Sequence, residues 1–223
     1  MTDAPASMTP PSDTDTTSDD GDAQGGTTKV RKRPKPGERR IQILQALATM
    51  LEQPGAERIT TAALAAKLEV SEAALYRHFA SKAQMFEGLI DFIEQSVLSL
   101  AQQIVERDST DPKAQIGKVV AMMLQFAEKN PGMTRVMVGD ALVFEHERLQ
   151  TRMNQFFDKV ESTLKQSLRD HAQASGSATP SVDAQVQASV LTAFVVGRLQ
   201  RFARSGFRRM PTEQLELSLA RLI

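Results

Sequence analysis

The chain has 223 residues, of which 41% are hydrophobic and 24% charged, so it can bury a core as one large domain or two small ones. It contains no cysteine, which excludes disulfide bonds and thiolate metal sites. The formal net charge of zero conceals opposed blocks: residues 1–28 carry six acidic residues and no basic one, and residues 29–82 carry eleven basic and five acidic residues. Such asymmetry often marks a polyanionic partner.

The first 37 residues are predicted to form an acidic tail followed by a basic arm. Residues 1–28 are rich in Ser, Thr, Asp, Pro and Gly, which favours disorder. Residues 29–40 are basic, and two prolines keep them extended. A solvated linker and an arm that contacts DNA phosphates or the minor groove are both compatible with this composition.

Nothing in the sequence indicates a membrane protein. The N-terminus lacks the apolar region of a secretory signal. The most apolar run, residues 189–197, is far shorter than the roughly 20 residues that span a bilayer. We therefore expect a cytoplasmic protein.

Apolar residues recur at helical spacing from Glu38 onward, and no stretch alternates convincingly with period two. This predicts an all-α fold of about nine helices, with a small domain at 38–83 and a larger one at 84–223. Ser71, Ser81 and Asp111 are predicted helix caps, and Ser81 with Gln84 is predicted to form a capping box. The first predicted helix starts at 38 and is stopped by Pro54 and Gly55. The others are 61–68, 72–79, 82–106, 112–130, a short one near 133–139, and three at roughly 144–171, 183–204 and 212–222.

The two short helices at 61–68 and 72–79 have the apolar spacing of a helix-turn-helix. A helix lodged in the major groove presents its N-terminal residues to base edges, while flanking groups hold phosphates. The polar and small residues that remain for the outer faces are Thr60, Thr61, Ser71, Glu72, Ala73, Tyr76, Arg77 and His78.

Residues 59–86, ITTAALAAKLEVSEAALYRHFASKAQMF, resemble the DNA-binding domain of TetR-type regulators, including its Tyr-x-His-Phe ending. The resemblance implies that Thr60 and Thr61 contact DNA from the second helix, and that Tyr76 and His78 hold the DNA backbone. It also implies a phosphate contact by Lys82 at the start of the fourth helix. The residues left to face bases are Ser71, Glu72, Ala73 and Arg77. Glu69 stands where the family usually has Gly, and Ala80 where it often has Pro.

Residues 58–96 and 126–157 further resemble the nucleoid occlusion branch of that family. This resemblance implies a nucleoid-associated, DNA-bound antagonist of FtsZ, the tubulin-like division protein. It also implies a groove at Phe92, Lys129 and Asn130 for the acidic and apolar C-terminal tail of FtsZ. The spacing of these three residues alone would leave their role open.

Residues 186–202 are apolar on nearly all faces, which predicts a homodimer interface, a fully buried central helix, or both. A homodimer would place two recognition helices one turn of DNA apart, about 34–36 Å, and so read a palindrome. The residues predicted to complete a four-helix interface are Leu149, Met153, Phe156, Phe157, Val160 and Leu164.

We find no catalytic constellation, and we predict no metal and no cofactor. The three histidines lack metal-ligand spacing, and there is no Gly-rich phosphate loop or nucleophile elbow. The alternative function is a TetR-type transcriptional repressor that a small ligand releases from DNA. The abundant Met residues could line its pocket, although Met also fills irregular cores.

Overall fold

The structure is a computed structural model that describes residues 37–53 and 58–223. The predicted acidic tail, most of the basic arm and the Pro54–Gly55 helix stop lie outside these residues. Within them the chain forms nine α-helices, a 3₁₀ segment at Asp140–Leu142 and no strand. The helices are α1 Glu38–Leu51, α2 Thr61–Lys67, α3 Glu72–Tyr76, α4 Lys82–Arg107, α5 Pro112–Lys129, α6 Pro131–Met137, α7 Glu147–Ala174, α8 Pro180–Arg204 and α9 Leu215–Leu222.

Side-chain caps fix the starts of α3, α4 and α5, as predicted. The side chains of Ser71, Ser81 and Asp111 each accept a hydrogen bond from the backbone N–H three residues on, at 3.3, 3.1 and 2.9 Å. The Gln84 side chain does not close a capping box on Ser81, however. It accepts from the Ala80 N–H at 2.6 Å, one residue earlier.

Three predicted helix starts are wrong by three residues. Helix α7 begins at Glu147 rather than at 144, because a 3₁₀ segment, Asp140–Leu142, precedes it and the His146 ring accepts from the Arg148 N–H at 3.3 Å. Helix α8 begins at Pro180, since a proline at the first helical position needs no hydrogen-bond acceptor. Helix α9 begins at Leu215, after Gln214 in a left-handed conformation.

The core runs continuously from α1 to α8. Helix α4 passes through the predicted boundary at residue 83 and packs against both α1 and the C-terminal helices. Helix α6 lies directly on α1: a Cβ built on Gly132 would be 1.9 Å from the Ala48 carbonyl oxygen. The helix-turn-helix is thereby seated on the C-terminal helices through α1 and α4.

The long helices α7 and α8 pack along each other within one chain. This corrects part of the predicted dimer interface, since most of its α7 residues are used by the core of the same chain. Phe157 is half-buried, and the residues that are fully buried are Leu149, Met153, Phe156, Val160 and Leu164.

None of the described helices combines the length and the apolar character needed to cross a bilayer.

Candidate nucleic-acid interface

Helices α2 and α3 present their N-terminal ends on the surface. Leu64, Ala65 and Leu75 are buried, and they anchor the pair to the core. Thr60 and Ser71 cap the two helices, each accepting from a backbone N–H with its hydroxyl, and both residues are exposed. The turn between the helices keeps the left-handed geometry that usually takes Gly, with Glu69 at φ 53°. A non-Gly residue in that region costs about 1–2 kcal/mol.

A polar cluster joins the start of α2 to α3. The Thr61 hydroxyl donates to the Glu72 carboxylate at 2.6 Å, and the Tyr76 hydroxyl donates to Thr61 at 3.5 Å. Tyr76 is 45% exposed, and Glu72 is exposed at the first position of α3. The three predicted contact residues therefore form one group, with the Glu72 carboxylate held in a fixed direction.

Arg40 fixes the far end of α3. Its guanidinium donates to the carbonyl oxygen of His78 and lies over the Phe79 ring, 4.1 Å from the centroid. His78 is half-buried, whereas Ala73 and Arg77 are exposed. The sequence placed Arg40 in the basic arm, for which a solvated linker and a DNA contact were both open, and it did not indicate this positioning role, because the contact joins residues 38 positions apart.

Lys82 lies at the start of α4, as predicted, but in this structure it has a protein partner. Its ammonium is 2.5 Å from the Glu145 carboxylate, in a pair whose side chains are 30% and 8% exposed. It also lies 5.8 Å from the centroid of the Phe86 ring. A phosphate that binds Lys82 must therefore compete with Glu145.

The segment that carries Glu145 makes a second contact with the N-terminal helices. The Arg58 guanidinium, just before α2, lies 4.5 Å from the centroid of the Phe144 ring. Nothing in the local sequence indicates either contact, since each joins residues more than 60 positions apart. The 3₁₀-to-α7 loop thus links the candidate interface to the C-terminal helices.

Salt bridges continue this link along α4 and α7. Arg148 pairs with Glu87 at 2.7 Å, and Lys159 pairs with Glu94. The hydrogen bond from Lys159 is the largest cause that lowers the pKa of Glu94 below its usual value. The row of pairs holds α4, and with it the base of the helix-turn-helix, against α7.

The three residues predicted to bind a partner lie in different environments. Phe92 is half-buried against the core, and Lys129 is exposed in the last turn of α5. Asn130 is buried, and its amide donates to the Phe126 carbonyl oxygen at 2.7 Å. In this geometry Asn130 shapes the α5–α6 junction instead of offering its side chain to a ligand. Among the described residues, no cluster of His, Asp and Glu could hold a metal ion.

Two family models match the chain. The model described as bacterial regulatory proteins, tetR family, matches residues 43–89. The model described as tetracyclin repressor-like, C-terminal domain, matches residues 111–222.

Curated relatives agree with these matches. The chain is 51% identical over 181 residues to the nucleoid occlusion factor SlmA of Aliivibrio fischeri strain MJ11, covering 81% of this chain and 91% of that protein. It is 50% identical over 179 residues to the SlmA of Vibrio cholerae, covering 80% of this chain and 90% of that protein.

Solved structures share the fold at low identity. The FadR regulator of Bacillus halodurans superimposes with a TM-score of 0.68 at 15% identity, covering 85% of this chain and 96% of that one. The FadR of Bacillus subtilis, in complex with stearoyl-CoA, superimposes with a TM-score of 0.66 at 13% identity, covering 82% of this chain and 97% of that one. The identity and coverage of the curated relatives are decisive: the chain belongs to the SlmA family of nucleoid occlusion factors, non-enzymatic DNA-binding proteins of the TetR type.

Proposed function

We propose that this chain is a nucleoid-associated, cytoplasmic inhibitor of cell division that binds palindromic DNA as a homodimer and, when bound, antagonises FtsZ assembly over the chromosome. The observation that carries the DNA-binding part is the α2–α3 geometry. Ala73 in α3 is exposed, as are Ser71 and Arg77, which cap its two ends, and the Glu72 carboxylate is held by the Thr61 hydroxyl. A carboxylate at the start of a recognition helix can accept a hydrogen bond from cytosine N4 in the major groove.

The surface of α8 supports a homodimer. Val182, Val186 and Val190 are 61%, 60% and 47% exposed along one side of this helix. A second copy that packs on this strip would bury it by two-fold symmetry. Two copies of α3 would then lie about one turn of DNA apart and read the two halves of a palindrome.

The FtsZ part of the proposal rests on the family relationship and on the groove residues. Phe92 offers a partly exposed aromatic surface on α4, and Lys129 an exposed ammonium at the end of α5. An aromatic surface suits apolar side chains of a peptide, and an ammonium suits a carboxylate. Asn130 contributes by holding the α5–α6 junction through its bond to Phe126.

Sedimentation of FtsZ polymers tests this function. With GTP, FtsZ should pellet normally with the chain alone and lose polymer when the chain carries its DNA site. The variant Lys129→Glu should bind the same duplex with unchanged affinity and leave the polymer intact. Arg169→Glu, an exposed charge reversal on α7, is the matched control and should behave as wild type. Full antagonism by Lys129→Glu would show that the groove assignment is wrong.

One observation favours the alternative, a ligand-responsive repressor. A recess of about 520 Å³ lies between the 3₁₀ segment, α7 and α8, with Met137, Met153 and Phe157 among its lining residues. Its volume lies within the usual range for small-molecule sites. A ligand that lowers DNA affinity, together with no effect on FtsZ polymer, would establish this function instead.

A further inference from the structure

The end of α8 and the loop after it carry an unusual run of positive charge. Five arginines and no acidic residue occur between positions 198 and 209. We call this set the arginine surface, and its members are Arg198, Arg201, Arg204, Arg208 and Arg209.

The loop that holds the arginine surface is well fixed. The Ser205 hydroxyl donates to the Phe202 carbonyl oxygen at 2.8 Å and accepts from the N–H groups of Arg208 and Arg209 at 3.1 and 2.9 Å. Phe207 has a left-handed backbone conformation, and its ring packs edge-on against the Phe202 ring with 5.2 Å between the two centroids. The arginine side chains therefore project from an ordered backbone.

Arg198 is itself held in place. Its guanidinium donates to the Glu213 carbonyl oxygen at 2.9 Å and to the Ser218 hydroxyl at 3.0 Å, and it lies 4.9 Å from the centroid of the Phe194 ring. With Arg201, Arg209 and Met210 it lines a recess of about 450 Å³. The acid that lines the recess is Glu213.

The other arginines have no carboxylate partner in the described part of the chain. Arg201, Arg204 and Arg209 are exposed, and Arg208 donates to the Ser205 carbonyl oxygen. None of the four forms an ion pair with a described residue. Elsewhere, the arginines of α7 that face α4 are paired with its carboxylates.

The arginine surface adjoins the groove proposed for the partner. The Thr212 hydroxyl donates to the Glu128 carboxylate at 2.5 Å, next to Lys129 in α5. On the other side, the Arg135 guanidinium of α6 lies 5.2 Å from the centroid of the Phe207 ring. These two contacts bring the loop that carries Arg208 and Arg209 against the C-terminal turns of α5 and α6, the two helices that are joined at Asn130.

We propose that the arginine surface extends the partner groove and binds the carboxylates of an acidic, partly apolar peptide; this rests on the proposed function, in which that peptide is the FtsZ tail. Guanidinium groups bind carboxylates through paired hydrogen bonds. A recess that sets Met210 beside the charges accepts an apolar side chain together with an acidic one. A DNA backbone offers no apolar side chain to such a recess, so the geometry favours a peptide.

Fluorescence anisotropy tests the proposal. A labelled synthetic peptide of the FtsZ C-terminal tail is titrated with the full chain carrying its DNA site, in wild-type form and as Arg201→Glu/Arg209→Glu. We expect the double variant to bind at least tenfold more weakly, with the difference shrinking as salt is raised. The single charge reversal Arg169→Glu should bind within twofold of wild type. A double variant that also binds within twofold overturns the proposal.

Two further arms separate the possible failures. The wild-type titration reports on the proposed function by itself: a chain that neither binds the peptide nor alters FtsZ polymer contradicts that function. If the double variant instead binds DNA tenfold more weakly and binds the peptide as wild type does, the arginine surface binds the duplex and the proposal is wrong. The variant Arg201→Gln/Arg209→Gln removes the two charges without reversing them, and it should also lower the affinity for the peptide. This variant keeps the test valid if the Glu variant does not fold.

Discussion

The close approach of α6 to α1 at Gly132 gives a sharp prediction about stability. In the variant Gly132→Ala, the new Cβ would lie 1.9 Å from the Ala48 carbonyl oxygen, 2.9 Å from its carbonyl carbon and 3.3 Å from Cγ of Glu52. The oxygen is backbone within α1, so relief requires the two helices to separate by more than about 1 Å, given ordinary carbon–oxygen contacts of roughly 3.3 Å.

Overpacking of this kind typically costs about 1–3 kcal/mol and occasionally more. We expect Gly132→Ala to lower the free energy of unfolding by about 3 kcal/mol or more, at or above the upper end of this range. The total stability of a typical domain is about 5–15 kcal/mol. The better helix propensity of Ala, about 1 kcal/mol, offsets only part of this loss.

Urea unfolding followed by circular dichroism measures the effect, at one fixed protomer concentration because a dimer's stability depends on it. Gly117→Ala in α5 is the matched control, since its nearest neighbour, Cδ1 of Leu219, is 4.0 Å away. It should stabilise the chain by about 0.5–1 kcal/mol. A Gly132→Ala variant as stable as wild type would refute the close seating of α1 on α6.

Other predictions concern the DNA interface and the salt bridges. Lys82→Ala should weaken binding to all duplexes and reduce the log–log salt slope by about 0.9, whereas Glu145→Gln should release Lys82 and tighten binding in the same filter-binding assay. Glu72→Ala should relax discrimination at one base pair by about 1–3 kcal/mol in competition with single-base variants of the site, and unchanged selectivity would contradict its contact with a base. The hydrogen bond from Lys159 is the chief cause that lowers the pKa of Glu94. The ion pair therefore stabilises the fold at pH values above the pKa of the unfolded state, and this stabilisation is lost as pH falls through the lower pKa of the folded state. Glu94→Gln should therefore unfold at lower urea than wild type at pH 7 and at nearly the same urea as wild type well below pH 4; a constant difference would exclude this linkage.

The sequence predicted the features that local chemistry decides. The hydroxyl and carboxylate caps at Ser71 and Asp111, and the proline at the start of α5, mark their helix ends within a few residues. Helical spacing also identified α2 and α3 and the polar residues on their outer faces. The cap at His146 lies outside the usual set of capping residues, so the start of α7 was predicted too early.

The contacts that tie the site to the rest of the molecule could not be predicted, because they join distant positions. The Lys82–Glu145 pair spans 63 residues, and nothing near either residue indicates the other. The burial of Asn130 likewise depends on how α5 meets α6, which spacing does not specify. The sequence therefore predicted the helices α2 and α3 and their exposed residues, and the structure added the partners that hold them.

Selection of binding sites from random duplexes, followed by light scattering on the selected complex, tests most directly whether α3 reads DNA as one half of a symmetric pair. We expect an enriched palindrome whose half-sites are centred about 10 base pairs apart, bound by an even number of chains. Enrichment should disappear when Ser71 and Arg77 are both replaced by Ala. Recovery of no symmetric sequence, or a single chain on each duplex, would show that α3 does not read DNA as one half of a symmetric pair.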